Sequence, residues 1–151
     1  MRLQKNTLLA LYSMLEFAAN PERQLSAAEI AAKYRVSPHH LAKVLRTLGR
    51  ARLVAAVRGV GGGYRFAGNA KRLTLMDVIE MFEDISAPRR TPAKGARRRR
   101  ATADGSAAPH EVEDALGVVL AEIDEIAKAT FRSITLATML KLVERRRALA
   151  G

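Results

Sequence analysis

The chain has 151 residues, 48% apolar and only 5% aromatic, with 26 Lys/Arg against 15 Asp/Glu and a net charge of +11. That is one domain's worth of chain, enough for a core of Ala, Leu and Val with an added helical extension. No cysteine occurs, which excludes disulfides, thiolate metal sites and cysteine-based catalysis or redox sensing and fits a cytoplasmic location.

The N-terminal stretch superficially resembles a short signal peptide. Glu16 interrupts it, and Leu8, Leu11, Tyr12 and Leu15 fall on one helical face. It reads as a structural helix over about Thr7 to Ala19. The longest apolar run, Ala115 to Ala121 with Gly117 counted, is far short of a membrane span.

Ser26 and Glu29 form an S-x-x-E capping box, which starts a helix at about Ala27. Ala27, Ile30, Ala31 and Tyr34 give it an apolar face. A turn at Arg35-Val36 follows, where glycine would be the ordinary choice. Ser37 caps a second helix and Pro38 fits its first position, where the missing N–H costs nothing. Leu41, Val44, Leu45 and Leu48 bury one face of this helix; His39, His40, Lys43, Arg46, Thr47 and Arg50 occupy the other. Imidazoles, a hydroxyl and cations opposite an apolar face suit a DNA major groove lined with acceptors between phosphates. A merely solvated basic face is the simpler alternative.

Charge distribution favours the groove. Residues 23–72 hold 11 Lys/Arg and a single acid, Glu29, leaving 15 basic and 14 acidic residues elsewhere. A potential focused this way attracts a polyanion and gains from counterion release.

Leu53 to Arg58 has strand character, and Tyr64-Arg65-Phe66 returns after Gly59-Val60-Gly61-Gly62-Gly63. This is a hairpin wing whose glycine tip permits positive φ and close approach of backbone to a ligand. A nucleotide-phosphate loop is the rival reading, but no Lys-Ser/Thr follows the glycines, and a strand rather than a helix comes next. Arg58, at the base of the tip, is placed to enter a narrow minor groove.

Thr74 and Asp77 form a further capping signal for an amphipathic helix to about Asp84. Its Asp77, Glu80, Glu83 and Asp84 are most simply solvated. Residues 86–109 lack apolar periodicity and hold seven cations, one acid and three of the five prolines. They read as a basic loop, disordered in isolation, either a solvated linker or an arm whose Arg97 to Arg100 touch phosphates. From Pro109 to about Thr130 the chain is helical. Val112, Leu116, Val119, Ile123 and Ile126 recur at spacings of four and three, a seam for pairing with a two-fold partner. Thr135 caps a last helix with Leu136, Met139, Leu140 and Val143 inward.

The expected fold is mainly α with a small β-hairpin: a winged helix-turn-helix DNA-binding domain over residues 1–85, the basic loop, and a helical dimerisation region over 110–151. The segment LSAAEIAAKYRVSPHHLAKVLRTLGRARLVAAVRGVGGGYRF resembles the DNA-binding domain of the Rrf family of bacterial transcriptional regulators, VRGVGGGYRF being its most recognisable motif. The opening MRL, the helix from Leu75 to Glu83 and the late ITLATML are also similar, so the resemblance covers nearly all the chain except residues 86–109. It implies a homodimer that binds a palindromic operator in double-stranded DNA, usually as a repressor. It places base reading at His39, Ala42 and Lys43 and minor-groove insertion at Arg58.

Many relatives hold an iron–sulfur cluster through three cysteines in the loop after the helix at 75–84. Here that loop has none. By position, Asp114 stands where the last cysteine would be, Gly117 where some relatives have a ligating histidine, and Leu8 where some have an aspartate. His110 is the nearby imidazole, and one imidazole with scattered carboxylates makes no cluster site. The expectation is therefore a regulator without metal or cofactor, responding, if at all, to an unidentified small-molecule or protein effector. His39, His40 and Lys43 would meet base edges, Arg46 and Arg50 would flank them, and Arg58 would enter the minor groove. Ser26, Ser37 and the wing around Gly59, Gly61, Gly62 and Tyr64 would hold phosphates. A non-sequence-specific architectural protein is the alternative. An enzyme is not expected, since neither a nucleophile–base pair at informative spacing nor a phosphate loop is present.

Overall fold

A computed structural model describes residues 2–83 and 108–151; the expected basic loop of residues 86–109 lies almost wholly outside them, as does Asp84. Six helices and one hairpin run in the order α1 (Lys5–Ala19), α2 (Ala27–Tyr34), α3 (Pro38–Arg50), β1 (Val54–Val57), β2 (Gly63–Phe66), α4 (Leu75–Ile79), α5 (Ala108–Ser133) and α6 (Leu136–Ala150). No helix among the described residues is long and apolar enough to cross a membrane.

Helix α1 is the scaffold against which α3, α4, α6 and the hairpin pack. Its Leu9, Ala10, Met14 and Phe17 are buried together with Ile30 of α2, Leu41, Leu45 and Leu48 of α3, and Val78 and Ile79 of α4. Burying each of these side chains other than Ala10 contributes about 1.5–3 kcal/mol before chain entropy is set against it. Both buried hydroxyls are satisfied: Ser13 donates to the Leu9 carbonyl at 2.7 Å and Thr7 to Glu83 Oε1 at 2.6 Å.

The capping signals form as expected. Ser26 Oγ accepts from the Glu29 N–H at 3.1 Å while the Glu29 carboxylate accepts from the Ser26 N–H at 2.8 Å. Thr74 and Asp77 do the same at 3.2 and 2.8 Å. Helix α4 is shorter than the periodicity suggests, regular only over Leu75–Ile79, and continues as turns to Glu83. Asp77 and Glu80 are exposed, in line with a solvated face, yet all three described acids have partners. Asp77 caps the helix, and Glu80 meets Arg132 at 3.5 Å. Glu83 accepts from both the Gln4 N–H and Thr7, each at 2.6 Å, pinning the start of α1.

The hairpin is antiparallel, with Val54 opposite Phe66 and Val57 opposite Gly63. Leu25 adds a bridge on its inner edge: Leu25 and Tyr64 exchange N–H···O bonds of 2.8 Å in both directions. The wing is thereby fixed to the entry of α2. A second bridge, Thr74 to Thr135, sews α6 to α4 through Leu75 N–H to the Ile134 carbonyl at 2.9 Å and Leu136 N–H to the Leu73 carbonyl at 2.8 Å.

Helix α5 runs one residue earlier and three later than its sequence pattern. Phe131 near its end packs on the core, but residues 110–123 are all exposed.

Candidate nucleic-acid interface

The candidate interface is built on the α2–turn–α3 unit and the wing beside it. Helix α3 is set by Ser37, whose Oγ accepts from the His40 N–H at 3.4 Å, and by Pro38 in the first turn. Its buried Leu41, Val44, Leu45 and Leu48 turn the opposite stripe outward. His39, Lys43, Arg46 and Arg50 recur every three to four residues and are all exposed. Among the described residues none of these three cations is ion-paired, whereas Arg23 and Lys33 to the side are held by Glu29 and Glu16 at 3.1 and 2.6 Å.

His40 stands apart from that stripe. It is half-buried, with Nε2 2.5 Å from Asn6 Oδ1 on α1, so one ring nitrogen is already engaged with the scaffold. Ala42 and Thr47 are half-buried at the flanks, and Thr47 Oγ1 donates to the Lys43 carbonyl at 3.3 Å. Ser26 and Ser37 use their oxygens as caps, which leaves each hydroxyl proton free for a phosphate.

The wing brings further groups alongside. Gly59 and Gly61 take φ of 117° and 74°, values that side-chain-bearing residues rarely adopt. Gln24 donates to the Gly61 carbonyl, tying the tip to the loop before α2. Arg58 is exposed at the end of β1 and Val60 projects fully from the tip. A groove of about 420 Å³ between α3 and the hairpin gathers Arg46, Arg50, Arg52 and the half-buried Tyr64. Tyr64 has both backbone groups committed to Leu25, so only its side chain faces this groove.

Two groups escaped the sequence reading. Arg35 and Arg52 both have left-handed backbones, with φ of 54° and 61°. Each lies in a helix-ending loop closed by a six-residue bond, Val36 N–H to the Ala31 carbonyl at 3.0 Å and Leu53 N–H to the Leu48 carbonyl at 3.1 Å. Glycine is the usual residue for this closure. An arginine there carries a backbone cost of about 1–2 kcal/mol, and strain of this kind concentrates at functional sites. The unexpected absence of glycine at 35 was the visible signal; Arg52 had none. The second is Gly63, where a Cβ would stand 2.5 Å from the Leu25 carbonyl oxygen.

A helix presented with three unpaired cations, beside an arginine-bearing hairpin, has the shape of a winged helix-turn-helix reader. Comparison with known proteins agrees. A family model named Rrf2 and described as an iron-dependent transcriptional regulator matches residues 3–142.

The chain belongs to the Rrf2 family.

A protein of Rhodopseudomonas palustris named as an HTH-type transcriptional regulator, BadM, is 52% identical over 147 residues, covering 97% of this chain and 86% of that protein. The aau3 protein of Rhizobium meliloti is 44% identical over 84 residues, 56% of this chain and 54% of that one. Among solved structures, T. potens IscR superposes with a TM-score of 0.65 at 25% identity, over 97% of this chain and 90% of that one. CymR, described as the global cysteine regulator of B. subtilis, superposes at 0.67 with 22% identity, over 94% and 98%. As a member of that family, this Rrf2 chain is a transcriptional regulator and not an enzyme.

The iron in the family description does not fit these residues. The chain offers no thiolate, and among the described residues no three His, Cys, Asp or Glu side chains converge on a common point. Leu8 is part of the α1 face, Asp114 is exposed on α5, and Gly117 faces open space. His110 lies 3.9 Å from Glu113 with both side chains largely exposed, an arrangement suited to neither a cluster nor a single ion.

Proposed function

We propose that this Rrf2 regulator acts in the cytoplasm as a homodimeric repressor of a palindromic operator, without an iron–sulfur cluster. The observation that carries this is the ion-pair-free stripe His39, Lys43, Arg46 and Arg50 on a helix whose other face is buried. His39, Ala42 and Lys43 face base edges in the major groove. Arg46, Arg50, Arg52 and Arg35 neutralise phosphates on either side, and Arg58 enters the adjoining minor groove. Ser26, Ser37 and the wing-tip amides of Gly59 and Gly61 complete the phosphate contacts, the Gly62 N–H being already given to the Gly59 carbonyl at 2.9 Å. His40, held by Asn6, orients the helix and offers its second nitrogen.

Dimerisation follows from α5. Val112, Leu116, Val119, Ile123 and Ile126 are between 51% and 61% exposed on one chain. A continuous apolar stripe of this length is covered in a soluble protein, and a second α5 pairs with it by symmetry. Two wings and two recognition helices then face half-sites about one helical turn apart or a multiple of it.

The test is selection of bound duplexes from fragmented genomic DNA, followed by affinity measurement at fixed salt. A palindromic consensus bound about 10³-fold or more tightly than scrambled duplex is the expected result. Equal affinity for both would replace this reading with a non-specific architectural role. Loss of repression on deleting the chain, rather than loss of activation, tests the sign.

A further inference from the structure

Behind the recognition unit, on the side away from α3, lies a cavity of about 460 Å³ between α1, α2 and α6. Its size is that of a small-molecule site, and its walls divide by chemistry. Leu15, Leu140 and Val143 form an apolar side, and Arg23, Lys33 and Arg147 bring three cations. The two acids of the lining, Glu16 and Glu144, do not balance them. The Glu16 carboxylate is already occupied, accepting from Lys33 Nζ and the Tyr34 hydroxyl, each at 2.6 Å. Arg23 is shared with Glu29 at 3.1 Å. Arg147 has no side-chain partner among the described residues, although its charge is close enough to help lower the Glu16 pKa. Its guanidinium, with five donors and no acceptor, is exposed at the rim of this part-apolar cavity and meets no carboxylate among the described residues.

We infer that this cavity is an effector site for a small organic carboxylate. The acidic group is held by Arg147 with Lys33 or Arg23, and the hydrocarbon part lies on Leu140 and Val143. Its position supplies the coupling. Helix α2 packs on α3, and α6 is joined to the start of α4 by the Leu136 N–H to the Leu73 carbonyl and by the Thr74–Thr135 bridge. An anion that draws Lys33 or Arg23 away from Glu16 or Glu29 loosens α2 from α1 or from its own capping box. A ligand shifts DNA affinity only so far as it binds the two states unequally, and the effect is reciprocal. The inference rests on the DNA-binding reading for that coupling, but not for the binding itself.

The experiment titrates the full chain, free of DNA, with straight-chain monocarboxylates from acetate to octanoate and with the matching primary amides, read by calorimetry. The expected result is saturable binding of at least one carboxylate and not of its amide. Arg147→Met should weaken it about tenfold or more, the scale of a charge-assisted hydrogen bond. Val143→Trp, which fills the cavity while keeping every charged residue in the chain, should abolish it, so the result does not hang on one variant. No binding by any carboxylate, or binding that both variants leave intact, overturns the site. Duplex affinity is then measured with and without the bound carboxylate: a change of tenfold supports the effector role, and no change overturns it. Duplex affinity measured without carboxylate tests the DNA-binding reading alone, so the two failures are distinguishable.

Discussion

The carboxylate of Glu16, on α1, accepts from Lys33 Nζ, on α2, at 2.6 Å, with the Tyr34 hydroxyl on the same oxygen at the same distance. The Tyr34 ring stacks in turn on Tyr12 of α1, centroids 4.9 Å apart and planes within 10°. One carboxylate thus ties the first helix of the DNA-reading unit to the scaffold. Burial alone would raise the Glu16 pKa. The hydrogen bonds from Lys33 and Tyr34 and the charges of Lys33 and Arg147 outweigh it, and the net value lies below the ordinary 4.5.

That direction fixes a pH dependence. A carboxyl with a depressed folded-state pKa contributes stability above its unfolded value and loses it as pH falls through the folded one. Urea midpoints taken between about pH 6 and pH 3 should therefore fall for the wild type, and less steeply for Glu16→Gln. Parallel curves for the two proteins would show that the contact does not bind α2 to α1. Tyr34 shifts the other way, its pKa raised by burial and by the hydrogen bond to Glu16, so its contribution holds through neutrality and fails only in strong alkali.

Replacing Arg35 with glycine should stabilise the fold. The left-handed backbone at φ 54° costs an arginine about 1–2 kcal/mol, against about 0.5–1 kcal/mol of added chain entropy for glycine. The net gain of up to about 1 kcal/mol corresponds to a rise in Tm of about 2–4 °C for a chain of this size. Duplex affinity should fall at the same time and its salt dependence flatten by about one unit, the loss of one phosphate contact. A variant that melts lower, or binds DNA with an unchanged salt slope, contradicts this account of why arginine occupies the turn.

Gly63→Ala should act oppositely. The added methyl would stand 2.5 Å from the Leu25 carbonyl oxygen, and the atoms it meets are backbone. The Leu25–Tyr64 bridge must open, at a cost of about 1–3 kcal/mol, and the wing swings free of α2. Amide exchange at Leu25 and Tyr64 measures this directly; protection equal to wild type would sink it.

Much of this arrangement was legible in the sequence, because its signals are local. Capping boxes at Ser26 and Thr74, the i, i+3, i+4 stripe of Leu41, Val44, Leu45 and Leu48, and a glycine-rich tip each report on a few neighbouring residues. What stayed hidden depends on contacts distant in the chain. Glu83 looked like one acid of a solvated face because Gln4 and Thr7, its partners, are more than 70 positions away. His40 looked equivalent to His39 until Asn6 was brought beside it. The end of α4 was overestimated because past Ile79 the chain tightens into three-residue turns, Met81 N–H to the Val78 carbonyl and Phe82 N–H to the Ile79 carbonyl, which apolar periodicity does not distinguish from helix.

The exposed seam of α5 carries a prediction about assembly. Ile123→Asp changes a residue that is 54% exposed in the single chain, so the fold of each chain should survive, as far-ultraviolet dichroism can check. Sedimentation should show the mass halved. Operator affinity should drop about 10²–10⁴-fold, the factor lost when two half-site contacts cease to be one event. A dimer that persists would place the two-fold axis elsewhere than on α5.

Arg58 and Lys43 separate the two modes of contact. Lys43 lies mid-helix on the stripe proposed to enter the major groove and Arg58 at the wing, both exposed. A lone arginine in a narrow minor groove is favoured by the groove's enhanced negative potential, which depends on sequence. Arg58→Ala should therefore cost about 1–3 kcal/mol on the operator and much less on random duplex. Lys43→Ala should relax the preference at one base position of each half-site, with the others unchanged. If Arg58→Ala weakens operator and random DNA equally, the wing contributes charge alone, and the whole of the sequence preference has to come from α3.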